Sequence, residues 1–298
     1  MGMSWPAPMT GNHMEPGEPG TSELRPLLSF LRRPAFATAP PGRLTVLRWL
    51  GWQALLILVL VLGGVFDRVL LNVFHWPAHS VTLWFLSRPS WGAAALLLIA
   101  PALEELGFRA FFSTRPKFVF AGLAFFLAYV YAFSRGMVVT PIKFPITSAS
   151  AVTHYIRAFW FVLPAGAISL LLYRYCREAV LRFFQRRAAW VFWISCLVFA
   201  SGHVRLYSDS LAWWSFALVL PQFLAGVGFG YIRTSFGLRW SIASHYAIDI
   251  PFLLFAWLYV WGASSAILHG MFLTLLVAIL AMVAYGLVTL CRVAQLRW

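Results

Sequence analysis

Trp91-Gly-Ala-Ala-Ala-Leu-Leu-Leu-Ile-Ala-Pro101-Ala-Leu-Glu104-Glu105-Leu-Gly-Phe-Arg109 is an apolar run ending in two adjacent carboxylates and an arginine. Continued to Ser113, it reaches the roughly 20 residues that a helix needs to cross a bilayer. An ionisable side chain in hydrocarbon costs about 3 kcal/mol or more, so its presence there marks a functional site by default. The chain has nine acidic residues in 298, and two stand here. A third, Asp249, lies in a second apolar run, His245-Tyr-Ala-Ile-Asp249. Glu105 and Arg109 are four apart, so one helical face can hold an internal ion pair. Glu104 then points about a quarter-turn away, open to another partner. Pro101 leaves the carbonyl one turn back without its amide partner. Such an irregularity survives at membrane depth only beside protein or water that satisfies it.

The rest of the chain agrees with this setting. It is 61% hydrophobic and 11% charged, where a soluble chain carries about a quarter charged residues. Apolar runs at about 45–65, 91–113, 117–134, 157–174, 189–206, 211–232, 238–260 and 266–290 predict an all-α, polytopic transmembrane helical bundle of about eight spans. A short re-entrant or surface helix is a further expectation at 70–90. Residues 1–43, with Gly, Pro and scattered charge, predict a disordered cytoplasmic tail without a core, and 44–298 one membrane domain. Arg32, Arg33, Arg43 and Arg48 lie close enough to the first span to touch anionic lipid.

The net charge of +14 has a topological reading rather than a nucleic-acid one. With both termini in the cytoplasm, sixteen Lys and Arg fall in inside segments and six in outside segments, as the positive-inside rule requires. Short loops and an Arg- and Ala-rich composition point to a bacterial inner (cytoplasmic) membrane. Cys176, Cys196 and Cys291 are odd in number and far apart, so they predict neither a disulfide framework nor a metal site. No Gly-rich phosphate loop and no HExxH zinc motif is present.

Two more segments complete a chemical set. Phe199-Ala-Ser-Gly-His203 ends the fifth run, and His245 and Asp249 are again four apart, with Pro251 just beyond. Between them Gly226, Gly228 and Gly230 form a Gly-x-Gly-x-Gly stretch suited to close helix packing. His75, His79, His154 and His269 stand apart from carboxylates and are read as non-catalytic. A carboxylate beside an imidazole can hold and deprotonate a water, and a second imidazole can donate to a developing oxyanion. That is the outline of a peptidase without a serine, cysteine or metal.

These residues resemble the motifs of the CPBP family, also called ABI or type II CAAX prenyl endopeptidase-like. Glu104, Glu105 and Arg109 match its EExxxR, Phe199 and His203 its FxxxH, and His245 and Asp249 its Hxxx(N/D). The resemblance covers roughly 91–255. It implies an intramembrane glutamic endopeptidase with catalytic Glu104, His203, His245 and Asp249. Glu104 would activate water with His203 as its partner, while His245 and Asp249 would form the oxyanion side. Glu105 and Arg109 would shape the site. The best-known CAAX proteases carry Asn at the position of Asp249. An ionised Asp cannot donate to an oxyanion, so Asp249 either carries a proton or orients His245.

The expected partners are the membrane and a peptide or protein substrate with a membrane-embedded or membrane-proximal segment, with no nucleic acid. No metal or cofactor is expected; zinc held by two His and two Glu is the less favoured reading. The runners-up are a non-proteolytic protein of the same fold, acting in bacteriocin immunity or as a scaffold, and a proton-coupled transporter using the same acids as a relay.

Overall fold

The computed structural model describes residues 29–32, 34, 45–74, 91–113, 115–134, 148–204 and 216–260, with isolated positions from 266 to 288. Among these residues the chain is all-helical. In chain order the helices are α1 (Thr45–Phe74), α2 (Trp91–Arg109), α3 (Pro116–Ser134), α4 (Ser148–Tyr175), α5 (Arg177–Arg186), α6 (Ala188–Gly202), α7 (Leu220–Phe236) and α8 (Leu238–Val260). The isolated positions in 266–288 are helical as well.

Seven of the eight apolar runs correspond to one of these helices, and the differences are local. Helix α1 continues to Phe74, past the expected end near 65. Asp67 and Arg68 lower the hydropathy there, yet nothing in the segment breaks a helix. Helix α4 begins at Ser148 rather than near 157, and Pro164 stands inside it. Helix α7 begins at Leu220 with Pro221 in its first turn, where proline is well tolerated. By length and composition together, one helix among the described residues, Arg48–Phe74, is long and apolar enough to cross a membrane; Pro116–Tyr131, Val162–Tyr175 and Ala188–Gly202 are shorter apolar helices. Of the expected re-entrant segment, 75–90 lies outside the described residues.

Helix α7 is the hub, packed against α1, α6 and α8, while α2 packs against α3 and α8. The glycine stretch explains this position. A Cβ at Gly228 would stand 2.7 Å from Leu56 Cδ1 of α1, and one at Gly226 3.2 Å from Phe199 of α6. One at Gly230 would strike the Phe192 ring. Absent side chains thus let two neighbours approach the α7 backbone, the packing mode expected where the solvent is lipid. Gly237 ends α7 at φ 102°, a conformation that costs glycine little, and α8 starts at the next residue.

The buried core is aromatic: Trp52, Phe111, Phe112, Phe120, Phe192, Phe229 and Tyr231 belong to one cluster. Phe30 joins it, 4% exposed, with its ring 5.0 Å from Phe192 and 5.3 Å from Tyr231. The stretch expected to lack core contacts therefore has one at Phe30; most of 1–43 lies outside the described residues.

Candidate functional site

The site begins with a fully buried carboxylate. Glu105 is 0% exposed and Arg109, one turn on, 1%. Their ion pair, expected from the spacing, is present with Nη1 3.0 Å from Oε1. Neither terminal nitrogen of Arg109 meets hydrogen-bond geometry. Aromatic faces surround its guanidinium instead: Phe199 at 4.2 Å, Phe229 at 5.4 Å and Phe108 at 5.6 Å from Cζ. A desolvated cation over such faces gains about 2 kcal/mol.

The remaining capacity of Glu105 is taken up by α8. Ser241 Oγ donates to Oε2 and also lies 3.0 Å from the Phe229 carbonyl. His245 Nδ1 lies 3.1 Å from Oε1. Ser241 and His245 are four apart, so one face of α8 presents both to Glu105. An ionised carboxylate only accepts hydrogen bonds, so His245 carries a proton on Nδ1 and aims Nε2 away from Glu105. Phe229 fixes the plane of that ring, stacked at 4.5 Å and 23°.

His245 Nε2 faces the two remaining acids. Glu104 Oε2 is 3.7 Å away and Asp249 Oδ2 3.6 Å. Both side chains are partly open, at 26% and 34% exposure. The adjacent glutamates of α2 thus occupy contrasting environments, one sealed and fully engaged, the other partly exposed beside an imidazole nitrogen.

His203 is the C-cap of α6. Its Nδ1 lies 2.8 Å from the Phe199 carbonyl. A carbonyl can only accept, so Nδ1 carries a proton, and in the neutral ring Nε2 holds the lone pair. Among the described residues the ring hydrogen-bonds to its own helix and not to a carboxylate. Phe199 connects it to the other histidine, with ring centroids 4.8 Å from His203 and 6.1 Å from His245. The structure therefore joins Glu104, Glu105, Arg109, His245 and Asp249 in direct contact, and brings His203 alongside through Phe199.

Several residues with supporting roles carried no motif. Ser195 Oγ donates to the Phe108 carbonyl at 2.8 Å, and Arg233 Nε to the Arg109 carbonyl at 3.1 Å. Both reach carbonyls of the last turn of α2, where helical partners run out; the Arg109 carbonyl also accepts from the Phe112 amide at 3.1 Å. Arg233, counted above as a topological charge, is 5% exposed. Trp49 Nε1 donates to Ser244 Oγ at 2.7 Å, tying α1 to the helix that carries His245. Among the described residues, no group of three or more His, Cys, Asp or Glu has the geometry to hold a metal ion.

Tyr129 of α3 packs edge-on to Phe108 at 4.7 Å, and its hydroxyl occupies the place a Cβ on Gly202 would need. Gly202→Ala must therefore shift Tyr129 or the end of α6 beside His203. We expect it to cost about 1–3 kcal/mol, as overpacking does, read as a lower melting temperature of the purified protein. Adding Tyr129→Phe should recover part of the loss. Unchanged melting of Gly202→Ala would contradict this packing.

The profile of the family described as type II CAAX prenyl endopeptidase, Rce1-like, matches residues 86–251. That is more than half of the chain, and it contains every motif residue from Glu104 to Asp249. Neither the curated proteins nor the solved structures compared with the chain give a match. On the strength of the profile match, the chain belongs to the Rce1-like family of type II CAAX prenyl endopeptidases, a membrane-integral peptidase family.

Proposed function

We propose that this protein is an intramembrane glutamic endopeptidase, hydrolysing a peptide bond in a substrate presented from the membrane. The observation that carries the reading is the division between the adjacent glutamates. Glu105 is spent on structure, whereas Glu104 stays partly exposed, 3.7 Å from an imidazole nitrogen. Two carboxylates held in contrasting environments are the usual basis for separate acid–base roles.

In this mechanism Glu104 accepts a proton from a water, and the lone pair on His203 Nε2 helps to orient that water. The water oxygen attacks the scissile carbonyl. With Nδ1–H bonded to Glu105 and Nε2 facing two carboxylates, His245 protonated on both nitrogens satisfies all three acids. Its Nε2–H then donates to the tetrahedral oxyanion. Collapse of the intermediate breaks the C–N bond, and Glu104 returns its proton to the leaving amine. Asp249 acts as an acceptor that orients His245 and balances its charge, a role an Asp can fill where an Asn would donate.

In this reading the reacting groups are Glu104 and His245 with a water, and no step calls on a metal. About eight spans, with both termini on the cytoplasmic side of a bacterial inner membrane, complete the proposal; the helix positions and the distribution of Lys and Arg support it. Processed peptides, or surface proteins with an apolar C-terminal tail, are the substrates proposed for that setting.

The test is cleavage by the purified full chain in detergent micelles. The probes are a farnesylated peptide with a CAAX tail and peptides ending in a single apolar segment, with products identified by mass. We expect at least one probe to be cut, at a rate unchanged by EDTA or 1,10-phenanthroline. Folded protein that cuts none of them would overturn the peptidase reading. Loss of activity with chelator, restored by zinc, would overturn the metal-free mechanism.

A further inference from the structure

Helix α5 has no part in the chemistry above, and its surroundings suggest a different use. At 10 residues it is about 15 Å long, too short to cross a bilayer. The apolar helices Val162–Tyr175 and Ala188–Gly202 flank it, which on the span arrangement proposed above puts it at a membrane boundary. Its inner face is anchored: Phe184 is 8% exposed and lies 5.7 Å from Phe111, in the corner that follows α2. Val180 and Leu181 pack on the same core.

The outer face is cationic. Between 174 and 187 the chain has five arginines and one acid, Glu178. The only ion pair of that stretch among the described residues joins Arg177 and Glu178 at 4.0 Å. Arg174, Arg182, Arg186 and Arg187 have no acidic partner among the described residues. An open cleft of about 590 Å³ lies at the elbow between α4 and α5, lined by Tyr173, Arg174, Tyr175, Arg177, Arg182 and the single acid Glu178 among others. A second cleft, of about 340 Å³, continues along α5 past Arg186 and Arg187. Large aromatics border this face outward: Tyr175 is 73% exposed, Trp190 67% and Phe183 57%.

We propose that the α4–α5 elbow and the arginine face of α5 bind the phosphate headgroups of acidic phospholipids. Guanidinium groups match phosphate oxygens in geometry as well as charge. A helix with one basic face and exposed aromatics lies in the interfacial plane and prefers anionic lipid. The exposed Tyr175, Phe183 and Trp190 select a lipid over a free anion, since they need acyl chains or headgroup boundary to cover them.

The experiment is independent of peptide cleavage. The full chain is purified in dodecyl maltoside and its melting temperature measured with added phosphatidylglycerol, phosphatidylcholine or inorganic phosphate. Lipid that stays bound is identified by mass spectrometry. Phosphatidylglycerol is expected to raise the melting temperature by at least about 3 °C, the shift from a roughly tenfold excess over Kd, and to be retained. Phosphatidylcholine and inorganic phosphate should do neither. The triple variant Arg182→Gln, Arg186→Gln, Arg187→Gln alters exposed positions, so its melting in phosphatidylcholine should match wild type while the phosphatidylglycerol shift disappears. Equal stabilisation by both lipids, an equal shift from inorganic phosphate, or an undiminished shift in the triple variant would overturn the proposal.

Discussion

Arg109→Leu is expected to destabilise the folded protein by about 3–5 kcal/mol, the range for removing one partner of a buried ion pair. The cause lies in what remains. Glu105 is fully buried, and without the guanidinium its hydrogen-bond partners among the described residues are Ser241 and His245. The three ring faces around Arg109 lose their cation as well. Leu fits the apolar surroundings, so the loss is electrostatic rather than a matter of volume. Combining it with Glu105→Gln removes the stranded charge and keeps an amide able to hydrogen-bond with Ser241. The double variant should recover most of the loss, a coupling expected only between contacting groups. Melting of the purified single and double variants checks this. Additive losses would show that the pair is not a unit.

His245→Asn is expected to separate the two jobs of that histidine. The Asn side-chain amide occupies the place of Nδ1, so the donor to Glu105 is kept. Nothing remains at the position of Nε2, opposite Glu104 and Asp249. Stability should change by no more than about 1 kcal/mol, whereas cleavage should fall by about 10²–10⁴, the usual weight of a positioned acid–base or oxyanion group. His245→Ala should lose the activity and in addition about 1–3 kcal/mol, because Glu105 is left short of a buried donor. Retained activity in His245→Asn would move the chemistry away from Nε2.

Much of this arrangement can be read from the chain, and the exceptions have physical reasons. Spacing four apart is enough to pair Glu105 with Arg109 and His245 with Asp249, because the partners share a helix. Contacts between helices are harder to foresee. Ser241 looks like any small polar residue in an apolar run, although its four-residue spacing from His245 places it on the same face. Phe229 stacks on His245 from α7, and Arg233 crosses from α7 to the end of α2; neither has a local signature. Helix α5 is masked by its own charge, since five arginines between two apolar runs read first as a loop that sets topology. The overrun of α1 to Phe74 is missed because hydropathy marks where a span loses its apolar character, which is not where a helix must stop.

The division of labour between Glu104 and Glu105 is tested most directly by comparing wild type with Glu104→Gln on whichever probe the wild type cuts. Gln keeps the size of Glu104 and the partly open position facing His245 Nε2, but it cannot take a proton from water. Glu104→Gln is expected to keep the wild-type melting temperature while its cleavage rate falls by at least about 10². A Glu104→Gln protein that cuts the probe at close to the wild-type rate would contradict it.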